Sequence, residues 1–219
     1  MEAIDVSLGQ SSRYLNQEKL NGVLLHRAEH LWCNDSIIFS RLKKHRDENR
    51  IHKIGVSIQN PSELISLENF IQEIDIIQMP LNILDHRFTS FYSTVEKFRK
   101  LETEIHIRSI FLQGLLLSAH ESRWQTANVS DPKEVLSWID KTMKVFDFDS
   151  PLELFLTWGL SLNFVDAIVI GAANSDEFQS VVQTYSQCKR SRQLVDYAKE
   201  TIPFLDDSTL DPSKWKNYG

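Results

Sequence analysis

Five short apolar runs, separated by longer amphipathic stretches, restrict this chain to an α/β fold. The runs are NGVLLH, HKIGVSI, IDIIQMPL, EIHIRSIFL and DAIVIGAA, at residues 21–26, 52–58, 74–81, 104–112 and 166–173. Each is almost continuously apolar, which is typical of a strand covered on both faces. The stretches between the runs repeat their apolar residues with a helical period. This alternation predicts parallel strands joined by right-handed helical crossovers, as a doubly wound sheet or a (β/α) barrel.

The length and composition predict one folded domain over residues 1–219. A chain of 219 residues with 42% hydrophobic residues can bury a full core. Its net charge of −6 disfavours contact with a nucleic-acid backbone, and its apolar runs are shorter than the roughly 20 residues of a membrane span. Cys33 and Cys188 are too few and too far apart for a disulfide framework, and the sequence does not begin with a signal-peptide pattern. We therefore expect a cytoplasmic protein without nucleic-acid or membrane partners.

Six motifs carry a resemblance to a known family. They are SSRYLNQEKLNGVLLHR, HKIGVSIQNPSEL, DIIQMPLNILDHRF, EIHIRSIFLQGLLL, AIVIGAANSDEF and LDPSKW. Their order and approximate spacing, from about Ser11 to Trp215, are similar to those of the aldo/keto reductase family. The resemblance implies a TIM barrel that holds a nicotinamide cofactor, NADP or NAD, and a carbonyl substrate at the C-terminal ends of its strands.

The same resemblance implies that the barrel is incomplete. The motifs correspond to strands four to eight of the family. The aspartate, the catalytic tyrosine and the lysine, which the family carries on its first three strands, have no counterpart in this sequence. Reduction of a carbonyl needs a proton as well as a hydride, so we expect the chain to be impaired or inactive by itself.

His26 is the catalytic residue that the resemblance assigns. It follows the apolar residues of the first run, in VLLHR, and corresponds to the family's histidine that orients the substrate carbonyl. The alternative is a histidine at a barrel rim that hydrogen-bonds only to backbone. His30, four residues later, is not accompanied by an H-E-x-x-H pattern, so we expect no metal site.

Two polar residues at the ends of the next two runs are candidates for cofactor binding. By the resemblance, Ser57 and Gln78 correspond to the family's serine and glutamine that contact the nicotinamide carboxamide. The position after Ser57, often asparagine in the family, is Ile58 here. The alternatives are a hydroxyl that caps the following helix for Ser57, and a buried amide bonded to neighbouring strands for Gln78.

The last two runs supply the remaining cofactor candidates. Arg108 stands where many family members place an aromatic residue against the nicotinamide ring, and a planar guanidinium can stack there too. Ser109 and Phe111 correspond to the loop that passes the pyrophosphate. The alternative for Arg108 is an ion pair with a carboxylate. After the last run the family's basic clamp for the 2′-phosphate is absent and Asn174 stands near Asp176 and Glu177, so we expect weak binding without a strong NADP preference.

Two functions from different classes follow. One is an oxidoreductase of the aldo/keto reductase type, dependent on NAD(P)H. The other is a non-catalytic, degenerate barrel that acts as a binding or interaction module. An incomplete barrel leaves NGVLLH and AIVIGAA as open strand edges. A second copy, a complementing chain, or the N-terminal residues together with the tail 203–219 must cover these edges. We favour self-association, because a second copy is always present at the same concentration.

Overall fold

The structure, a computed structural model, describes residues 2–216. Met1 and residues 217–219, which the predicted domain 1–219 and the predicted covering tail 203–219 include, lie outside the described residues. The described part of the chain contains five strands: β1 Leu20–Leu25, β2 Ile51–Ser57, β3 Ile76–Pro80, β4 Glu104–Arg108 and β5 Ala167–Val169. Each falls within a predicted run or one residue before it, so the predicted strands are confirmed.

The strands form one sheet in the order β1-β2-β3-β4-β5. Parallel pairing joins β1 to β2, with Leu25 level with Val56, and β2 to β3, with Ser57 level with Gln78. β1 and β5 therefore stand at the two edges of this order. Strands in sequential order with helices between them confirm the predicted α/β class.

Within the described residues 2–216, ten α-helices lie before, between and after the strands. They are α1 Glu2–Leu15, α2 Ile37–Asp47, α3 Ser62–Leu67, α4 Tyr92–Arg99, α5 Glu121–Thr126, α6 Lys133–Phe146, α7 Pro151–Ser161, α8 Ser175–Gln187, α9 Arg192–Thr201 and α10 Asp207–Leu210. Short 3₁₀ helices cover Ala28–Leu31, Cys33–Ser36, Glu68–Phe70, His86–Phe91 and Pro212–Lys214. Within residues 2–216, no helix is long and apolar enough to cross a membrane.

The chain is divided into two compact units. Among the described residues, the first unit comprises 2–79 and 91–106, and the second comprises 80–90 and 107–216. The prediction of a single domain over 1–219 stays a prediction.

The core of the first unit forms around β2. Ile54 and Val56 are fully buried, and a Cβ atom added at Gly55 would lie 2.8 Å from Leu24 Cγ and 2.9 Å from the backbone oxygen of Ile76. Only glycine fits between these neighbouring strands. A side chain there would push β1 and β3 away from β2.

Helix α1 is fixed to α2 by charged side chains. Arg41 donates two hydrogen bonds of 2.7 Å to the Asp5 carboxylate, and His45 Nε2 lies 2.7 Å from Asp5 Oδ1. These two partners, Arg41 first, hold the pKa of Asp5 well below its usual range. The Asp5 carboxylate therefore ties the first helix to α2.

The core of the second unit is built on α7, whose residues Leu154–Gly159 are all buried. The close approach depends on Gly159, because a Cβ atom there would lie 2.5 Å from Ile110 Cδ1. The tail is held by hydrogen bonds from Arg87 to the oxygen of Leu210 and from Asn128 to the oxygens of Ser208 and Lys214. The tail is thus fixed on loops of its own unit.

Candidate functional site

Three of the predicted site residues lie side by side in the first unit. Ser57 ends β2 and is level with Gln78 of β3, while His26 directly follows Leu25, the residue level with Val56. His26, Ser57 and Gln78 therefore lie at the same level on three neighbouring strands, with His26 just after β1, Ser57 at the end of β2 and Gln78 within β3. Adjacent strands lie about 4.8 Å apart, so the three side chains can contact one small molecule.

The surroundings of these three side chains differ. The His26 ring is exposed, Gln78 is half-buried and Ser57 is buried. An exposed imidazole can donate a hydrogen bond to a carbonyl oxygen, and a hydroxyl and an amide can both donate and accept. The row can therefore bind a carbonyl or carboxamide group.

A large cavity lies in the second unit. Its volume is about 1010 Å³, and it is bounded by the loop after β4, the start of α5 and the segment after β5. The predicted residues Arg108, Ser109 and Phe111 all line it. The structure thus brings together three of the four cofactor candidates that fall in this unit.

The backbone after β4 explains why this wall curves. Ser109 adopts a left-handed conformation with φ 61°, which ends the strand at Arg108 although the apolar run continues to residue 112. Leu112, Gln113 and Gly114 also have positive φ, so the chain turns repeatedly through 109–114. Arg108 Nη1 lies 3.3 Å from Ser109 Oγ and can donate a hydrogen bond to it.

A second guanidinium belongs to this cavity, and sequence reasoning missed it. Arg123, in α5, lines the cavity and donates a 3.3 Å hydrogen bond from Nη2 to the oxygen of Gln113. Guanidinium groups are the donors that suit phosphate oxygens, and this cavity has two of them on its walls. In the sequence Arg123 stands beside Trp124 in HESRW. This segment looks like an ordinary helix with a solvated charged face, so it did not indicate a binding residue.

The opposite wall consists of residues 169–173 and Glu177. Asn174 is the N-cap of α8, and its Oδ1 accepts a 2.9 Å hydrogen bond from the N–H of Glu177. Glu177 Oε2 accepts in return a 2.8 Å bond from the N–H of Ala173. The side-chain oxygen of Asn174 is thus engaged at the helix start, and the Glu177 carboxylate is fixed at the cavity wall.

Comparison with solved structures identifies the fold. Aldo-keto reductase AKR11C1 from Bacillus halodurans superposes in its apo form with a TM-score of 0.70 at 16% identity, over 94% of this chain and 71% of that protein. Its holo form gives the same TM-score and identity, over 69% of that protein. The protein PA4992 from Pseudomonas aeruginosa gives a TM-score of 0.55 at 13% identity, over 84% of this chain and 58% of that protein.

The chain has the aldo-keto reductase fold. At 16% identity the likeness is one of fold, and it spans only part of the solved aldo-keto reductases. Five strands and a partial match confirm the prediction of an incomplete barrel of this type. No profile of a protein family matches the sequence, and no curated protein matches it either.

Two further kinds of site chemistry concern this aldo-keto reductase fold, a metal centre and a tyrosine that acts as an acid. Within residues 2–216, no three His, Cys, Asp or Glu side chains are grouped so that they could hold a metal ion. Tyr14 lies in α1 and Tyr92 begins α4, so both of these tyrosines are on helices rather than at strand ends. Neither is placed like an acid at the end of a barrel strand.

Proposed function

We propose that the chain is an oxidoreductase of the aldo-keto reductase type that binds NAD(P)H weakly and has little or no carbonyl reductase activity by itself. The observation that carries the proposal is the 1010 Å³ cavity with Arg108, Ser109, Phe111 and Arg123 on its walls. The likeness to AKR11C1, one form of which is a holo form, supports this class of function.

The cavity fits the phosphate-bearing part of a dinucleotide. Its volume is at the upper end of the roughly 300–1,000 Å³ usual for ligand pockets. Arg108 and Arg123 offer donors for a pyrophosphate, and residues 171–173 are exposed and small, so a ligand can approach the backbone there. The Glu177 carboxylate would repel a 2′-phosphate. We therefore expect little preference for the phosphorylated cofactor.

A bound nicotinamide would supply the hydride. His26 would donate a hydrogen bond to the carbonyl oxygen where negative charge develops, and Ser57 and Gln78 would hold a carboxamide. None of these three groups replaces a positioned tyrosine as proton donor. General acid catalysis is worth about 10²–10⁴-fold, so its loss alone removes most of the rate.

Fluorescence titration with NADH and NADPH tests cofactor binding. We expect weak saturable binding of both, and Arg108→Leu should weaken it about tenfold to a hundredfold, the range for a lost charge-assisted hydrogen bond. Arg192→Leu removes an exposed arginine on α9, outside the cavity, and should leave binding unchanged. A tight, NADPH-selective response would contradict the assignment of the Glu177 wall.

An assay of the purified chain with NADPH, NADH and a panel of aldehydes tests catalysis. The expected result is little or no reduction. Rapid turnover would show that a proton donor exists after all, and Tyr14→Phe and Tyr92→Phe would then identify it. Unchanged turnover in both variants would exclude these two tyrosines.

The second candidate function is a non-catalytic binding or interaction module. The observation that favours it is the exposed apolar surface of α8. Retained cofactor binding supports the oxidoreductase, and its complete absence supports the module. For either function we propose a cytoplasmic setting, because Cys33 and Cys188 are both free thiols.

A further inference from the structure

Helix α8 carries an apolar stripe that the chain itself leaves uncovered. All residues of α8 are described, and none is buried. Phe178, Val181, Val182 and Tyr185 recur at the spacing that places side chains on one helix face. Phe178 is 61% exposed and Val182 is 49% exposed. A contiguous apolar face of this kind marks an interaction site.

The charge pattern of α8 supports the same conclusion. Residues 178–188 contain no Asp, Glu, Lys or Arg. The neighbouring helix α9 shows the ordinary pattern of a solvated face, with Arg192 paired to Asp196. Depletion of charge together with exposed aromatic residues is typical of the centre of a protein interface.

Strand β5 continues this surface. It is the last strand in the sheet order, and none of its three described residues is buried. A cavity of about 310 Å³, lined by Ile168, Ile170 and Tyr185 among others, connects β5 with α8. An edge strand presents unpaired backbone N–H and C=O groups, which favour the addition of another strand. We call β5 together with the apolar stripe of α8 the C-edge.

A matching surface occurs on the first unit. β1 is the other edge of the sheet order, and the preceding helix α1 exposes Val6, Tyr14 and Leu15. Residues 6–12 of α1 contain no charged side chain. We call β1 with the exposed side of α1 the N-edge. Each edge thus consists of a strand at one end of the sheet order and a helix with exposed apolar side chains.

We propose that the C-edge of one copy binds the N-edge of a second copy. In parallel α/β folds the strands of a sheet are accompanied by helices that cover its faces, and the N-edge offers a strand together with a helix. The solved aldo-keto reductase extends beyond the 71% matched by this chain, so further chain is present in that fold. The contact is head-to-tail, joins two different surfaces and does not depend on cofactor binding.

Light scattering coupled to size exclusion tests the association. The wild-type chain should exceed its monomer mass of 25.4 kDa increasingly as concentration rises. Val182→Glu, in the C-edge, should return it to 25.4 kDa. Val145→Glu changes a valine that is 56% exposed on α6 and should leave the mass as in the wild type. A wild-type monomer up to high micromolar concentration overturns the proposal.

Mixing two blocked variants tests the head-to-tail geometry. Val6→Glu, at a position that is 54% exposed, blocks the N-edge and should also give a monomer. An equimolar mixture of Val6→Glu and Val182→Glu retains one intact C-edge and one intact N-edge, so it should form a one-to-one complex. If Val6→Glu remains associated by itself, or if the mixture stays monomeric, the proposed contact is wrong.

Folding of the variants is read from far-ultraviolet circular dichroism and thermal unfolding. Phe178→Lys is a second variant of the C-edge and must give the same monomer. Amide exchange in residues 167–169 should be slower in the wild type at high concentration than in Val182→Glu. Equal exchange in both would exclude pairing at β5. Cofactor affinity should not change in any of these variants, which separates failure of this contact from failure of cofactor binding.

Discussion

Helices α7 and α8 are consecutive helices of the chain and pack against each other. They begin in the same way, yet α7 has buried side chains and α8 has none. Ser150 caps α7 by accepting from the N–H of Glu153, and Asn174 caps α8 by accepting from the N–H of Glu177. In both, the glutamate accepts a backbone N–H in return. In α7 residues Leu154–Gly159 are buried, whereas α8 has no buried residue.

The pair teaches that local sequence determines where a helix starts, while its surroundings determine how much stability it adds. Most helical stability in proteins comes from packing of an apolar face. α7 has such packing within the chain. α8 has the apolar side chains but not the cover, so its contribution depends on a partner.

The largest expected difference between the two helices comes from matched phenylalanines. Phe155 of α7 is 0% exposed, and Phe155→Ala should lower the free energy of unfolding by about 3–5 kcal/mol, through lost burial and a new cavity. Phe178→Ala on α8 should change it by no more than about 0.5 kcal/mol in the monomer. Urea unfolding measures both. A large loss for Phe178→Ala would show that α8 is packed within its own chain.

Amide hydrogen exchange compares the same helices without mutation. Amides of α7 should exchange only through opening of the whole unit, because their side chains form its core. Amides of α8 should open locally and exchange much faster in dilute protein. Equal protection of the two helices would contradict the comparison.

The N-caps of the two helices should contribute equally to the free energy of unfolding, although the helices differ in burial. Ser150→Ala and Asn174→Ala each remove one cap hydrogen bond and should each cost about 1 kcal/mol. Ser150→Asn and Asn174→Ser, which keep a capping oxygen, serve as controls and should change little. Chemical unfolding measures all four. A loss confined to α7 would mean that the α8 cap does not form in solution.

The smallest expected effect concerns α1, which Asp5 ties to α2, and it is read from how stability falls in acid. The folded pKa of Asp5 is depressed below its ordinary value of 3.8 by Arg41 and His45. Its contribution is therefore present above about pH 3.8 and is lost as the pH falls through the folded pKa. Asp5→Asn should lower stability at neutral pH and flatten the acid dependence. An unchanged acid slope in this variant would contradict the assignment.

The strands were predictable because β-branched apolar residues mark them directly. Two predicted runs are longer than the strands that form. At β4, Ser109 turns the chain out of the strand, although Ile110 and Phe111 would suit a strand. In β5 the exposed edge leaves only Ala167–Val169 paired, out of a run of 166–173. The apolar run implied that β5 is buried on both faces. Such burial requires a neighbouring element on each face, and none of the three residues of β5 is buried.

The site was predictable only in part. His26, Ser57 and Gln78 lie at equal levels because parallel register aligns strand ends, and strand ends can be read from sequence. Arg123 lines the same cavity as Arg108 through a turn of several left-handed residues. Nothing in the spacing of two arginines 15 positions apart reveals such a turn. The cap formed by Asn174, in contrast, has a sequence signal, because a Glu three residues after an Asn is typical of a helix start.

The hydrogen bond from Arg87 to the oxygen of Leu210 has a consequence for synthesis on the ribosome. The two residues are 123 positions apart. At about 5–20 residues per second, Arg87 leaves the ribosome on the order of ten seconds before Leu210 is made. Throughout that interval the loop after β3 lacks its final hydrogen-bond partner. The second unit therefore becomes complete later than the first unit, whose residues all precede residue 107.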